Sequence, residues 1–389
     1  MKANDEVKAA TTQAIAGAST DDEKLKRIYD FVKAQIKNIS YADNVTDEEK
    51  KKAGSDRSAG DILKSRIGSA SDIDVLFGAM VRSAGYDARL ALSGDRSDLF
   101  FNPRIPNLSL MLNSTSIAVK VGNEWRFFSP ASYFATYGML SWNEEGQMAL
   151  ITDSKELIWQ KIPLASAEKS MEKRSGKFKI LEDGTLEGEA RIEFTGHAGS
   201  RHKMSNRGDS PAVQEKNLKD LIRSNILGTA EVESISIENA RDPEKPIVYT
   251  FKVRVPGYAS RTGKRIFFQP NVFERSSKPR FVASSRQSEV YFNYPFSEQD
   301  DITIELPAGF TLENGDTPAA YGDQQGIGKH ETTIGVTADG KTVSYKRSFS
   351  FGNGGFIRFP VDSYGPIKTM FENFNKADVH QLTLRQEAK

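Results

Sequence analysis

The sequence predicts an α+β fold in which helices pack on an antiparallel sheet and β-rich modules of the β-sandwich type follow. Helical and strand patterns alternate over roughly the first 165 residues, whereas strand patterns with short turns dominate from about residue 170. A chain of 389 residues is long enough for two or three domains. We therefore expect a mixed domain over residues 1–165 and β-rich modules over 166–282 and 283–389, the last with a C-terminal helix and strand.

The first well-marked helix lies in STDDEKLKRIYDFVKAQIKNISY, residues 19–41. Its apolar side chains recur at spacings of three and four and line one face: Leu25, Ile28, Tyr29, Val32, Ile36 and Ile39. Ser19 or Thr20 can cap the start of this helix. The three acidic residues that follow lie where the helix dipole favours negative charge.

The segment SRIGSASDIDVLFGAMVRSAGYDARLAL, residues 65–92, predicts a loop, a helix and a strand. The helix carries an apolar stripe: Ile73, Leu76, Phe77, Met80, Val81 and Ala84. Ser69 and Ser71 precede Asp72 and Asp74 by three residues each, which is the spacing of a capping box. A glycine then ends the helix, and the alternation in YDARLAL predicts a strand.

Hairpins are predicted near residues 113–130 and over KFKILEDGTLEGEARIEFTG, where an Asp-Gly pair marks the turn. Two helices interrupt the later strands, at 212–227 and 363–377, and a closing strand HQLTLR follows. His197 and His202 have no further metal ligands near them in sequence. We interpret them as two surface histidines of a hairpin loop.

The composition excludes several classes of function. With 53 basic and 52 acidic residues the net charge is +1, so we expect no nucleic-acid partner. No apolar run approaches the roughly 20 residues that span a bilayer. The chain has no cysteine, and its four histidines all lie beyond residue 196. Chemistry in the first half must therefore proceed without a thiol or an imidazole, and we expect no metal or other cofactor.

Three short segments carry a family resemblance. Gly68-Ser69-Ala70-Ser71-Asp72 precedes the apolar helix IDVLFGAMVRSAG, LNSTSIAVKV forms a strand, and RFFSPA ends the next strand. Together with the tail YGMLSWNEEGQMALI they resemble the transglutaminase-like superfamily over roughly residues 20–152. In that papain-like family, a G-D-C-x-D segment supplies the cysteine of a Cys-His-Asp triad.

The resemblance implies that Ala70 stands at the cysteine position, Ser114 at the histidine position and Ser129 at the aspartate position. In the family the thiolate attacks an amide carbonyl, the imidazole protonates the leaving amine, and the aspartate orients the ring. A methyl group cannot attack, and a serine hydroxyl cannot shuttle protons near neutral pH. We therefore expect a pseudoenzyme with no catalytic residues in this cleft.

Two alternative sets of residues would make the first half an enzyme. A Ser-Lys pair could replace the thiol, with one of four serines and one of two lysines: Ser69, Ser71, Ser114 or Ser129 with Lys64 or Lys120. Asp72 and Asp74 could form a carboxylate pair for acid–base catalysis. For both aspartates we favour helix capping and complementarity to the helix dipole.

The expected function is binding or scaffolding for a peptide, a protein or a cell-surface glycan. Aromatic residues cluster after residue 124, and most are expected to pack in the core. We predict that Ser69, Asn113, Trp125 and Trp142 line the remnant cleft. A core that serves only as a spacer for the β-rich modules is the third possibility.

The C-terminal half also resembles a β-rich module of unknown function that accompanies such cores in one bacterial group. The run YFNYPFSEQDDITIELPAGF and the closing helix and strand carry this resemblance. It implies a periplasmic or cell-surface setting, with the export signal outside this chain. It also implies that the chain is part of a longer protein.

Overall fold

The computed structural model describes residues 1–42, 44–54, 57–97, 100–102, 104 and 111–387. The chain divides into two compact units, Met1–Ala165 and Ser166–Lys389. The first unit is mixed in secondary structure and the second is rich in strands, so the α+β prediction is confirmed.

The described helices of the first unit are α1 (Asp5–Ala14), α2 (Asp21–Gln35), α3 (Asp47–Lys52), α4 (Ala59–Ser65) and α5 (Ala70–Ser83). Its strands are β1 (Lys37–Asn38), β2 (Ile67–Gly68), β3 (Asp87–Ser93), β4 (Ser114–Val121), β5 (Glu124–Phe128), β6 (Met148–Ile151) and β7 (Ile158–Lys161). Five of these strands form an antiparallel sheet in the order β5-β4-β3-β6-β7. The short β1 and β2 pair in parallel.

The predicted helical faces form the core of the first unit. α2 begins with the predicted cap, because the Thr20 hydroxyl accepts the Glu23 N–H and the Glu23 carboxylate accepts the Thr20 N–H. The apolar stripe of α5 is buried from Ile73 to Val81, between α1, α2 and α4 on one side and strands β3 and β4 on the other, and Ala84 after the helix is half-buried. A smaller apolar cluster that includes Phe127 covers the opposite face of the sheet.

The described helices of the second unit are α6 (Gly196–Ser205), α7 (Pro211–Asn225) and α8 (Tyr364–Asp378). Its longer strands are β8 (Met171–Ile180), β9 (Leu186–Phe194), β10 (Glu231–Glu238), β11 (Ile247–Val255), β15 (Phe296–Glu305), β18 (Gly328–Val336) and β19 (Thr342–Phe351). The shorter strands are β12 (Ser260–Thr262), β13 (Arg265–Phe268), β14 (Val290–Tyr291), β16 (Phe310–Asn314), β17 (Tyr321–Gly322), β20 (Arg358–Phe359) and β21 (Leu382–Gln386).

One large sheet organises the second unit, in the order β10-β11-β9-β8-β15-β19-β18-β17. β8 and β15 pair in parallel, and the other neighbours in this sheet are antiparallel. A four-stranded sheet, β12-β13-β21-β16, shares one apolar core with the large sheet and α7. The two sheets therefore bury a common interior, as in a sandwich.

The division into modules at residues 282/283 needs correction. β8 lies before this boundary and pairs with β15 after it, and β13 pairs with β21 across the same boundary. The second edge of β8 would be an unpaired row of backbone groups without β15. Residues 166–282 and 283–389 therefore form one unit, whereas the division after residue 165 coincides with that between the two units.

The interpretation of His197 and His202 as surface histidines of a hairpin loop is wrong. Both lie on α6, and His197 is buried. The ring of His202 stacks on Phe194 with 3.8 Å between centroids. Burial and, to a smaller extent, the charge of Arg201 lower the pKa of His202 to about 4. A neutral packed imidazole is therefore the state at physiological pH.

Candidate functional site at the start of helix α5

The predicted cysteine position begins helix α5. Ser69 caps this helix: its hydroxyl accepts the Asp72 N–H at 3.3 Å, and the Asp72 carboxylate accepts the Ser69 N–H at 2.9 Å. Ala70 is the first helical residue, and its N–H donates to the Ser40 hydroxyl at 3.0 Å. The Ala70 side chain is half-buried and offers only a methyl group. Nothing at this position can act as a nucleophile.

Asp74 lies one helical turn after Ala70 and is buried, with 5% of its surface exposed. Its carboxyl accepts the Ala131 N–H at 3.2 Å and the Ser129 hydroxyl at 3.4 Å. Burial, opposed by the Ala131 N–H and reinforced by the charge of Glu144, raises the pKa of Asp74 to about 8. Asp74 is therefore neutral at pH 7 and is no helix cap, which corrects the interpretation of this residue.

Ser114 begins strand β4, and its hydroxyl donates to the Glu144 carboxylate at 2.5 Å. The second Glu144 oxygen accepts the Ser141 N–H at 3.1 Å. Burial raises the pKa of Glu144, and the hydrogen bonds from Ser114 and Ser141 oppose that rise. A second buried carboxyl thus holds the residue at the histidine position.

The three triad positions lie at one end of the first unit. β4 and β5 are antiparallel, so Ser114 at the start of β4 and Ser129 after the end of β5 lie at the same end of this strand pair. Ser129 contacts Asp74 on the face of α5 that also carries Ala70, and Asp74 is close enough to Glu144 to feel its charge. The loop from β5 to β6 supplies both Ser129 and Glu144.

Three of the four predicted cleft residues lie on the segments that carry the site, and the fourth lies on the opposite face of the sheet. Ser69 lies at the start of α5, and Asn113 is exposed beside Ser114. Trp142 is half-buried in the loop that carries Glu144, and the Arg96 guanidinium lies 5.2 Å from its ring centroid. Trp125 is elsewhere: it packs with the apolar cluster on the sheet face opposite α5.

Sequence reasoning missed Glu144 as a site residue, and it considered Asp74 only for a pair with Asp72 or as a helix cap. A signal existed for Asp74, because it stands beside Ile73 within an apolar helical stripe, where an exposed aspartate is out of place. Glu144 stands in a polar stretch, SWNEEGQ, that carries no such signal. Its burial depends on the path of the loop between β5 and β6.

The serines considered for a Ser-Lys pair have other partners. The hydroxyls of Ser69 and Ser71 lie 3.0 Å apart, while Ser114 contacts Glu144 and Ser129 contacts Asp74.

In the part of the chain that the structure describes, no three or more histidine and acidic side chains are arranged to hold a metal ion. Within the same residues, no helix combines the length and apolarity needed to cross a bilayer.

Comparisons with known proteins agree with this architecture. Residues 8–103 match the family model described as the transglutaminase-like superfamily, and residues 264–384 match a domain of unknown function, DUF3858. The chain therefore contains a transglutaminase-like core and a DUF3858 domain. The first match includes Ala70 and ends before Ser114 and Ser129.

A solved structure has the same fold. It is described as a "putative protease" from Parabacteroides distasonis ATCC 8503, with a TM-score of 0.50 and 12% sequence identity. The match covers 98% of this chain and 55% of that chain, so this chain spans about half the length of its structural neighbour. No curated protein matches the chain.

Proposed function

We propose that the first unit is a catalytically inactive transglutaminase-like module that binds a peptide, protein or glycan segment at the start of α5. The observation that supports the proposal is that Ala70 lies where the resemblance places the nucleophile, while the carboxyls of Glu144 and Asp74 accept the hydroxyls of Ser114 and Ser129. The mechanism of the family requires a thiolate and an imidazole. The whole chain lacks cysteine, and its first half lacks histidine.

The chemistry of the remaining groups suits hydrogen bonding without bond cleavage. A neutral Asp74 can donate as well as accept a hydrogen bond, and Ser114 and Ser129 can do both. Asp74 and Ser129 are buried, so the half-buried Ser114 is the group of the three that the amide of a peptide or the hydroxyl of a sugar can reach. The half-buried ring of Trp142 in the adjoining loop offers an apolar face beside them. A periplasmic or cell-surface location, as the family resemblance implies, would place such ligands within reach.

Restoring the triad tests the proposal. The variant Ala70→Cys/Ser114→His/Ser129→Asp and a control with the second and third changes but Ala70 kept are assayed for glutamine–amine transfer and for peptide hydrolysis. We expect turnover by the restored variant alone, because the control lacks a nucleophile. A folded restored variant without activity would contradict the assignment of these three positions. Turnover by the unmodified chain would contradict the proposed loss of catalysis.

Binding is tested separately with peptide and glycan arrays. The unmodified chain is compared with Trp142→Ala and with the matched control Trp125→Ala, whose tryptophan lies on the opposite sheet face. We expect Trp142→Ala to lose the array signals and Trp125→Ala to retain them. Equal signals from all three chains would favour the core as a structural spacer.

A second candidate function rests on the 2.5 Å contact between the Ser114 hydroxyl and the Glu144 carboxylate. A carboxylate with a raised pKa is a stronger base, so Glu144 could activate Ser114 as a nucleophile without any lysine. A fluorophosphonate probe followed by mass spectrometry distinguishes the candidates. Labelling of Ser114 that Glu144→Gln abolishes would support this hydrolase or transferase, and an unlabelled Ser114 would support the inactive module.

A further inference from the structure

A cavity of about 300 Å³ opens in the second unit beside the parallel pair β8 and β15. Side chains from both strands, from α6 and from the segment before β15 line it. Phe292 and Tyr294 give it an aromatic wall, while two glutamates and two arginines give it both signs of charge. None of these residues belongs to the site in the first unit.

The two glutamates lie side by side. Glu172 on β8 and Glu298 on β15 are register partners in the parallel pair, and their side chains keep 23% and 19% of their surface exposed. Like charges in adjacent register repel each other. Burial raises the pKa of Glu172 to about 7, opposed by the charge of Arg174 and reinforced by that of Glu298. The Arg174 guanidinium lies 3.6 Å from Glu172 and 3.5 Å from Glu298, so the two glutamates share one cation at longer range.

The buried arginines behind this pair are already engaged. Arg174 forms a two-point contact with Asp300, at 2.6 and 2.9 Å, and Arg347 forms another with Asp378, at 2.6 and 3.0 Å. Arg347 also contacts Glu298 at 2.7 Å. Two buried cations thus serve several buried carboxyls, and the side of the glutamates that faces the cavity remains available to a cation.

The two cavity arginines form no direct ion pair in the described part of the chain, although the charge of Glu298 acts on Arg280. Within the described residues, neither Arg201 nor Arg280 makes a hydrogen bond or an ion pair, and both are exposed. The Arg280 guanidinium lies 4.8 Å from the Phe292 ring centroid and 5.5 Å from that of Phe371. Stacking on these rings fixes the plane of the guanidinium and leaves its N–H edge free to bind a carboxylate.

We propose that this cavity binds a small zwitterion of the amino-acid or dipeptide class. Its carboxylate would bind Arg201 and Arg280, its ammonium group would bind Glu172 and Glu298, and its side chains would contact the aromatic wall around Tyr294. A simple anion would leave the side of the acidic pair that faces the cavity without a cation, and a simple cation would face two arginines. The proposal lies beyond the proposed function of the first unit and does not depend on it.

Isothermal titration calorimetry of the full chain tests the proposal with three probes: Ala-Ala, N-acetyl-Ala-Ala and Ala-Ala amide. Each cap removes one charge of the zwitterion and leaves the remainder of the dipeptide. We expect Ala-Ala to bind and each cap to weaken binding at least tenfold. Equal affinity for the three probes, or no heat with Ala-Ala at millimolar concentration, would overturn the proposal.

Variants assign the two ends of the ligand. We expect Arg280→Gln to weaken the binding of Ala-Ala at least tenfold and to leave the already weak binding of Ala-Ala amide unchanged. Glu172→Gln should show the same pattern with N-acetyl-Ala-Ala. Arg241→Gln, which removes an exposed arginine outside the cavity, should change neither affinity.

Arg201→Gln repeats the carboxylate test, and melting temperatures show that each variant folds. Equal weakening of all probes by a folded Arg280→Gln would mean that Arg280 supports the structure and would contradict its role in binding.

Discussion

Replacing Asp74 by asparagine isolates the buried carboxyl at the start of α5. The side-chain amide of the variant can accept the Ala131 N–H through its oxygen, as the carboxyl of Asp74 does. Its NH₂ group can donate to the Ser129 hydroxyl, which in the wild-type chain donates to the carboxyl. The amide cannot ionise. The two chains should therefore have similar free energies of unfolding at acidic pH and diverge as the pH rises.

The magnitude follows from proton linkage. The pKa of Asp74 is about 8 in the folded chain, against 3.8 for an ordinary aspartate. Because the folded pKa is raised, the contribution of the neutral carboxyl to stability is fully present below about pH 4 and is lost as the pH rises through about 8. The slope is about 1.4 kcal/mol per pH unit. Asp74→Asn should therefore gain up to about 4 kcal/mol over the wild-type chain between pH 5 and pH 8.

The assay is urea unfolding followed by tryptophan fluorescence at several values from pH 5 to pH 9. All three tryptophans lie in the first unit, so this signal reports on that unit alone. Ser129→Ala is the matched control, because it removes a hydrogen bond to Asp74 but keeps the titrating group. A stability difference between Asp74→Asn and the wild-type chain that does not change with pH would refute the raised pKa and the neutral state of Asp74.

Two further predictions concern the cap of α5 and the buried charges of the second unit. Ser69→Ala should lower the free energy of unfolding of the first unit by about 1 kcal/mol. The control Ser71→Ala should lower it less, because the Asp72 N–H still donates to the Ser69 hydroxyl. Equal losses in the two variants would contradict the capping box. Arg347→Met should destabilise the second unit by about 3–5 kcal/mol in calorimetry, because Asp378 and Glu298 then stay buried without their cation. The control is Lys346→Met, which removes an exposed ion pair with Asp301 and should cost less than about 1 kcal/mol of stability. Similar losses of stability in both variants would contradict the contribution of the buried Arg347 ion pairs.

Local periodicity predicts most of the elements near the site. The stripes of α2 and α5, the hairpin of β4 and β5, and helices α7 and α8 all follow from the spacing of apolar residues over a few turns. Helix α6 was missed because GHAGSRHKMS carries no apolar stripe. Its small and polar residues also suit a loop.

Long-range pairing leaves no comparable pattern in the sequence. β8 and β15 are register partners although more than a hundred residues separate them, and the sequence of neither strand indicates which strand it pairs with. The charge row of Arg174, Asp300 and Arg347 depends on that register, as does the pair of glutamates in the cavity. The same limit applies to Glu144, which reaches Ser114 through the fold of a loop.

The most direct measurement of the central claim is the time course of a glutamine-containing peptide and a primary amine with the full unmodified chain, followed by mass spectrometry. We expect no transfer, hydrolysis or covalent adduct, and time courses identical to those of a Ser114→Ala variant. Product that accumulates with the unmodified chain and disappears with Ser114→Ala would contradict this claim.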